Sequence, residues 1–174
     1  MIERSAVLSS CKRYRYRLVR TWDASLPVLV FVMLNPSIAD AEQDDPTIRK
    51  CIGFAQRLGY GGIVVVNLFA WRATDPKALY RQGFMSDYPT VGPENDRFIE
   101  LSVTEPNTHV VFAWGGQGQR YIQRTIDVKR RIRGARFNRF SSTNVFCLGY
   151  SKNTRQPRHP LMLPYATPLE GYIG

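Results

Sequence analysis

A strand–helix–strand pattern near the start of the chain constrains the fold more than any other feature. Residues 28–34 and 63–66 are short apolar runs rich in β-branched side chains, typical of strands that are buried on both faces. Between them, apolar residues recur at helical spacing from Ile48 to Leu58, after an Asp45-Pro46 pair suited to the N-cap and first position of a helix. Such a unit normally forms a right-handed parallel crossover.

Similar elements follow along the rest of the chain. The predicted elements are a loop over residues 74–92 with a short helix near Lys77, a helix from Pro93 to about Val103, a buried strand over 110–114, a helix through Ile122, Ile126 and Ile132 that ends at Gly134, and a strand over 144–148. Alternating basic and apolar residues over 12–20 predict an edge strand. We therefore expect residues 1–174 to form a single α/β domain, a three-layer α/β/α sandwich with a mostly parallel central sheet.

The charge of the chain indicates which partners it binds. Lys and Arg number 24 against 14 Asp and Glu, which gives a net charge of +10 and favours a polyanion such as DNA or RNA. Residues 1–10 lack the apolar run of a signal peptide, and no later run approaches the roughly 20 apolar residues that span a bilayer. We expect a cytoplasmic protein with no membrane partner.

The cysteines do not predict a cofactor. Cys11, Cys51 and Cys147 are odd in number and far apart, which argues against a disulfide framework, a zinc site or an iron–sulfur cluster. Four acidic residues lie close together and could hold a metal or a water, namely Asp40, Glu42, Asp44 and Asp45. Because Asp45 is better explained as a helix cap, we predict no metal and no other cofactor.

Polar or glycine residues follow each of the four buried strands. Asn35 follows the first strand, Asn67 the second, the segment 115–118 (Gly-Gly-Gln-Gly) the third and His159 the fourth. The carboxyl ends of parallel strands share one edge of the sheet, where ligands bind in such folds. We therefore expect these residues to share one rim.

Each of these residues also has a structural interpretation. Asn35 is followed by proline and could hydrogen-bond its own backbone in a turn, and Asn67 could tie two loops together instead of reading a base edge. His159 lies between Pro157 and Pro160, which would hold the imidazole in a fixed direction whether it serves chemistry or packing. The glycines at 115–118 lead into a helix, whose backbone N–H groups suit a phosphate.

Basic residues are densest on and after the last predicted helix. They are Arg120, Arg124, Lys129, Arg130, Arg131, Arg133, Arg136 and Arg139, with Phe137 and Phe140 beside them. A solvated helix face is one interpretation of this run. The surplus of positive charge next to aromatic side chains favours the other, a surface that contacts the phosphate backbone of a nucleic acid.

Four motifs in a fixed order resemble an uncharacterised bacterial and phage family, domain-of-unknown-function family 1643. The motifs are Leu34-Asn35-Pro36-Ser37, Asp44-Asp45-Pro46-Thr47, residues 66–74 (Val-Asn-Leu-Phe-Ala-Trp-Arg-Ala-Thr) and Pro157-Arg158-His159-Pro160-Leu161. The resemblance runs from about Tyr16 to Leu163. It implies no activity, because none is established for the family.

The order of strand ends is also similar, more distantly, to the uracil-DNA glycosylase superfamily. There, a strand ends in the residue that positions or activates water, the next ends in an Asn that reads the base, another ends in Trp-Gly, and a late His-Pro segment stabilises the leaving base. The similarity implies a uracil-DNA-glycosylase-like fold in which Asn35 and His159 are catalytic and Asn67 binds the base.

Further residues complete the predicted site. Phe54, Phe69 and Trp71 are the candidates to stack on the base. The predicted contacts to the phosphate backbone are Ser37, Arg72, Gly115, Gly116, Gln117, Arg120, Arg124 and Arg158.

The hypothesis from the sequence is therefore a protein that recognises a modified or mispaired base in nucleic acid and hydrolyses its N-glycosidic bond. Two alternatives belong to other classes: a non-catalytic DNA- or RNA-binding module that uses the basic surface, and an enzyme that acts on a free nucleoside or nucleotide at the same rim.

Overall fold

The computed structural model describes residues 2–75, 79, 89–137 and 145–173. The strands are β1 (Glu3–Leu8), β2 (Arg15–Thr21), β3 (Val28–Met33), β4 (Gly62–Asn67), β5 (Thr108–Phe112), β6 (Val145–Cys147) and β7 (Glu170–Gly171). The α-helices are α1 (Pro46–Arg57), α2 (Asn95–Val103) and α3 (Ile122–Phe137), and short 3-10 helices span Gly116–Tyr121 and Pro160–Met162. The short helix predicted near Lys77 lies outside the described residues.

The strands form one mixed sheet in the order β1-β2-β4-β3-β5-β6-β7. The four central strands, β4, β3, β5 and β6, run parallel, whereas β1, β2 and β7 add antiparallel pairs at the two sides. The predicted α/β class is confirmed. The sheet is mixed because the strands at its two sides are joined to it antiparallel.

The register of the central strands brings their carboxyl ends to one level. Val28 of β3 pairs with Gly62 of β4 and Thr108 of β5, and four residues later Val32 pairs with Val66 and Phe112. Because β4 and β5 lie on opposite sides of β3, the connection from β3 to β4 and the connection from β4 to β5 run in opposite directions across the sheet. Ligand sites of open α/β sheets lie at such a switch point.

The sheet is buried on both faces by separate groups of apolar side chains. On one face, Phe31 of β3 packs with Ile48 and Phe54 of α1. On the other face, Val30 and Val32 of β3 pack with side chains of α2 and α3, including Ile99 and Ile132. This burial explains why β3 is an uninterrupted apolar run rather than an alternating one.

Helix α1 begins as its sequence predicts. Asp45 is the N-cap, its Oδ1 accepts a hydrogen bond of 2.9 Å from the Ile48 N–H, and Pro46 occupies the first turn. The end of α3 differs from the prediction, because the helix continues past Gly134 to Phe137. One contact that favours the longer helix is made by the buried Arg136, which donates a hydrogen bond of 2.7 Å to the Val103 carbonyl at the end of α2.

The predicted edge strand lies inside the sheet. β2 pairs with β4 on one side and with β1 on the other, so β1 is the edge strand. Between these two strands the register shifts: Val7 pairs with Arg17 and Leu8 with Arg15, which leaves Tyr16 as an extra residue in a β-bulge.

In the part of the chain that the structure describes, no helix combines the length and the apolar character needed to cross a bilayer.

Candidate functional site

A cavity of about 530 Å³ lies at the carboxyl ends of the central strands, beside the N-terminus of α1. It is at the switch point between β3 and β5. Seven of the predicted site residues line it together: Asn35, Ser37, Asn67, Gly115, Gly116, Gln117 and His159. The structure thus brings the loops after all four parallel strands to one rim.

Asn35 ties two of these loops together. Its side-chain Nδ2 donates hydrogen bonds of 3.1 Å to the Pro36 carbonyl and 2.8 Å to the Ala73 carbonyl. This is the structural role that the Asn-Pro turn suggested, extended to the loop after β4. Because both bonds use the amide nitrogen, Oδ1 is the atom that Asn35 can offer to a ligand or a water in the cavity.

Asn67 is buried at the end of β4 and is held from two sides. Asn95 of α2 donates a hydrogen bond of 2.9 Å to its main-chain carbonyl, and Arg15 Nη2 donates one of 3.3 Å to its Oδ1. No described residue accepts a hydrogen bond from Asn67 Nδ2. The amide N–H groups are therefore the part of this side chain that is available to a ligand.

Arg15 is a cavity residue that the sequence did not reveal. Its side chain donates hydrogen bonds to the Ala39 carbonyl and to Asn67, and only 2% of the residue is exposed. Burial lowers the pKa of Arg15 to about 10, so its guanidinium still carries a positive charge at neutral pH. The bulge at Tyr16 interrupts the simple alternation of faces along β2 and thereby changes the direction of the residue beside it.

His159 lines the cavity from the loop after β6. The Leu161 N–H donates a hydrogen bond of 3.3 Å to its Nδ1, so a neutral ring carries its proton on Nε2. Burial lowers the pKa of His159 below its ordinary value of 6.5, and the Asp45 carboxylate opposes that shift. At neutral pH the imidazole is therefore an uncharged hydrogen-bond donor through Nε2.

Three of the four acidic residues before α1 serve separate structural purposes. Asp40 accepts hydrogen bonds from the backbone N–H groups of Glu42 and Gln43, and Asp44 pairs with Arg4 and Arg20. Asp45 caps α1 and also lines the cavity, which supplies the site with a buried carboxylate. Within the described ranges, no group of three or more His, Cys, Asp or Glu side chains is arranged to hold a metal.

The loop after β5 brings backbone close to the other cavity residues. Gly115 has a φ of +77°, and a Cβ at this position would lie 3.1 Å from His159 Cβ. Its conformation and this close approach both favour glycine. Trp114, immediately before it, lines the cavity, and its Nε1–H donates a hydrogen bond of 2.8 Å to Gln156.

The three aromatic residues predicted to stack on a base do not line the cavity. Phe54 belongs to α1 and is fully buried in the core on one face of the sheet. Phe69 packs edge-on against Tyr121, and Trp71 packs edge-on against Tyr14. Among the described residues that line the cavity, the aromatic side chain is Trp114, and its position as the last residue of a predicted buried strand was the signal that could have identified it.

The predicted phosphate-binding arginines are found in different surroundings. Arg120 and Arg158 are exposed on segments that adjoin the cavity residues Gln117 and His159. Arg72 donates to the Ile38 and Lys12 carbonyls. Arg124 donates to the Leu68 carbonyl and pairs with Asp96 of α2.

The basic run along α3 is spread over two ends of the sheet. Arg120 and Arg124 lie at the cavity end. Arg131 pairs with Asp96 and Glu100, and Arg136 donates to the Val103 and Thr108 carbonyls beside the start of β5. Arg139 and Phe140 lie outside the described residues. The second half of α3 is therefore at the opposite end of the sheet from the cavity.

Comparisons with known proteins place the chain in a family. Neither the curated proteins nor the solved structures include a significant match to it. A family model described as "Protein of unknown function (DUF1643)" matches residues 15–161, a range that begins at Arg15 and includes the other cavity-lining residues. The chain therefore belongs to the DUF1643 family.

Proposed function

We propose that this protein takes a base of DNA or RNA into the cavity and hydrolyses the N-glycosidic bond of that base. The observation that carries the proposal is that Asn35, Asn67 and His159, at or after the ends of three different strands, line one cavity. Its volume of about 530 Å³ lies in the range of small-molecule sites, about 300–1,000 Å³.

The proposal includes a uracil-DNA-glycosylase-like fold with three layers. It is supported by the packing of α1 against one face of the sheet and of α2 and α3 against the other. It is also supported by the order of the strand ends, with Asn-Pro after β3, Asn at the end of β4, Trp-Gly after β5 and His-Pro after β6. This order is the layout of that superfamily.

In this proposal, different cavity residues contact different parts of the base. Asn67 donates from Nδ2 to an oxygen on the base edge, and the Trp114 ring supplies an aromatic surface. His159 donates from Nε2 to a base oxygen that becomes negative as the glycosidic bond breaks. A neutral imidazole can fill this role because its proton is on Nε2, the nitrogen that donates.

The attacking water requires a second pair of residues. Asn35 Oδ1 accepts a hydrogen bond from the water and orients it, but an amide cannot remove its proton. Asp45 supplies the carboxylate of the cavity and takes that proton. The water oxygen forms a bond to the sugar C1′, the C1′–N bond breaks, and its electron pair leaves with the base nitrogen.

Side chains near the cavity suit a nucleic-acid substrate. Met162, in the same 3-10 helix as the cavity residue Leu161, is 88% exposed, and Ile38 on the opposite loop is 52% exposed. Apolar side chains of this kind can enter the gap that an extruded base leaves in the stack. Arg120 and Arg158 supply positive charge for the adjacent phosphates.

The experiment is a glycosylase assay on labelled single- and double-stranded oligonucleotides. The strands carry uracil, hypoxanthine, xanthine or modified pyrimidines, and abasic sites are scored with the wild type, Asn35→Ala, His159→Ala and Asp45→Asn. Asparagine caps a helix about as well as aspartate, so Asp45→Asn removes the carboxylate and keeps the cap. We expect cleavage of one base class by the wild type and its loss in His159→Ala and Asp45→Asn.

Binding measurements on the same oligonucleotides and on mononucleotides separate the alternatives. Intact strands that are bound with a steep salt dependence, and equally well by Asn67→Ala, would favour a non-catalytic binding module. Tight binding of mononucleotides that survives neutralisation of Arg120 and Arg158 would favour an enzyme of free nucleotides. Either outcome would overturn the glycosylase proposal.

A further inference from the structure

Arg15 carries a positive charge inside the cavity wall without an ion-pair partner. No described carboxylate lies within ion-pair distance of its guanidinium, although Asp45 lines the same cavity. Two of its five N–H donors are used, by the Ala39 carbonyl and by Asn67 Oδ1. Its Nε is enclosed and has no hydrogen-bond partner. Burying a cation without a counter-ion costs free energy. A charged residue of this kind in a cavity is a candidate for binding a ligand.

No described neighbour of Arg15 forms an ion pair that would balance its charge. The Asp45 carboxylate favours its charge without forming an ion pair with it, whereas Arg20 and Arg72 add like charge. The charge of Arg20 is itself taken up by Asp44, at 2.8 Å. Cys51, behind the cavity, remains an uncharged thiol because burial raises its pKa. With a neutral His159, Arg15 is the cationic group among the described residues that line the cavity.

We infer that Arg15 makes the cavity selective for a planar ring that carries a delocalised negative charge on its oxygen and nitrogen atoms. The inference rests on the proposed function and deepens it, because the base that leaves in glycosidic cleavage is such an anion. Arg15 also holds Asn67 with its oxygen turned toward the guanidinium and its N–H groups toward the ring. Both residues therefore favour acceptor atoms and negative charge on the ligand, and they discriminate against exocyclic amino groups.

The inference assigns different parts to the polar residues of the cavity. His159 and Asn67 supply neutral hydrogen bonds, and Arg15 supplies the formal charge. A charge that is fixed before reaction and enclosed by protein acts more strongly on the departing electron pair than the same charge in water. Arg15 acts here as an electrostatic group and as the positioning residue of Asn67.

Binding of free rings tests the inference without any cleavage. The probes are uracil, which stays mostly neutral in mildly alkaline solution, and 5-fluorouracil, which ionises there. Dissociation constants are measured by calorimetry below and above the ionisation of 5-fluorouracil, at pH values above 6.5 so that His159 stays neutral. We expect the wild type to bind the anion about tenfold or more tightly than the neutral ring.

Two substitutions separate charge from geometry. Arg15→Gln keeps a donor for Asn67 and removes the charge, so the preference for the anion should disappear. Arg15→Lys keeps the charge without the fork of donors and should retain part of the preference. The control is Arg49→Gln, which removes an exposed positive charge from the first turn of α1 and should leave the preference unchanged.

The outcomes are distinguishable from those of the cleavage assay. Equal affinity for the two forms, a preference retained by Arg15→Gln, or no binding of either ring would overturn the inference. Anion-selective binding with no cleavage of any oligonucleotide would uphold the inference and overturn the proposed hydrolysis. Cleavage without anion selectivity would uphold the proposed hydrolysis and overturn the inference.

Discussion

The amide nitrogen of Asn35 lies 2.8 Å from the carbonyl oxygen of Ala73 and joins the loop after β3 to the loop after β4. An aspartate at position 35 would supply a carboxylate for water activation but would lose this donor. We expect Asn35→Asp to lower the free energy of unfolding by about 2 kcal/mol, because a carboxylate would face the Pro36 and Ala73 carbonyls. Asn35→Ala should cost about 1 kcal/mol.

Urea unfolding of the two Asn35 variants measures the difference. If Asn35→Asp were as stable as the wild type and more active as a glycosylase, the tie between the loops would not be the main role of this side chain.

The buried ion pair of Arg20 and Asp44 should matter more for stability than an exposed pair. The Arg20 side chain is fully buried, and Asp44 is only 11% exposed. Asp44→Asn would leave the guanidinium charge without its partner, so we expect a loss of about 3 kcal/mol. The control is Glu94→Gln, which breaks an exposed pair with Arg97 and should cost less than about 0.5 kcal/mol. Similar losses in both variants would contradict this account.

The free energy of unfolding should decrease as the pH is lowered and His159 takes up a proton. In the unfolded chain this imidazole titrates near 6.5, and burial lowers the pKa in the fold. Below pH 6.5 the unfolded chain therefore binds more protons, and the contribution of neutral His159 is lost down to its folded pKa. The melting temperature, measured from pH 7 to about pH 5, should decrease less in His159→Gln than in the wild type. His109→Gln is the control for the loss of a histidine outside the cavity, and an equal change in this variant would argue against His159 as the cause.

Thiol labelling should distinguish Cys11 from the other two cysteines. Cys11 is exposed, and the Ser9 hydroxyl lowers its pKa, whereas burial raises the pKa of Cys51 and Cys147. We expect one thiol per chain to react rapidly with iodoacetamide in the native protein, and Cys11→Ser to abolish that reaction. Rapid labelling of two or three thiols would mean that the core opens under native conditions.

The central strands and α1 could be predicted because their sequences depend on local requirements. β3 and the central residues of β4 and β5 are buried on both faces and are therefore apolar, and Asp45-Pro46 satisfies the start of a helix within four residues. The rule that ligands bind beyond the carboxyl ends of parallel strands then brought Asn35, Asn67 and His159 to one rim without any tertiary information.

The remainder depended on contacts between distant residues. Arg15 appeared to belong to a half-exposed edge strand, because neither the covering strand β1 nor the bulge at Tyr16 has a sequence signal. The stacking candidates were chosen by residue type, and only tertiary packing distinguishes a core residue such as Phe54 from a cavity residue such as Trp114. Likewise, the arginines of α3 form pairs with α2 that the sequence of α3 alone cannot reveal.

The position of β1 has a consequence for the behaviour of the protein in solution. β1 occupies the outer hydrogen-bonding edge of β2, and Arg4 within it binds Asp44 in the loop before α1. A protease that removed these first residues would leave β2 with a row of unpaired backbone N–H and C=O groups, which is a template for strand pairing between molecules. Trimmed chains should therefore self-associate edge to edge even though their helices and core are intact, so proteolysis during purification would appear as aggregation.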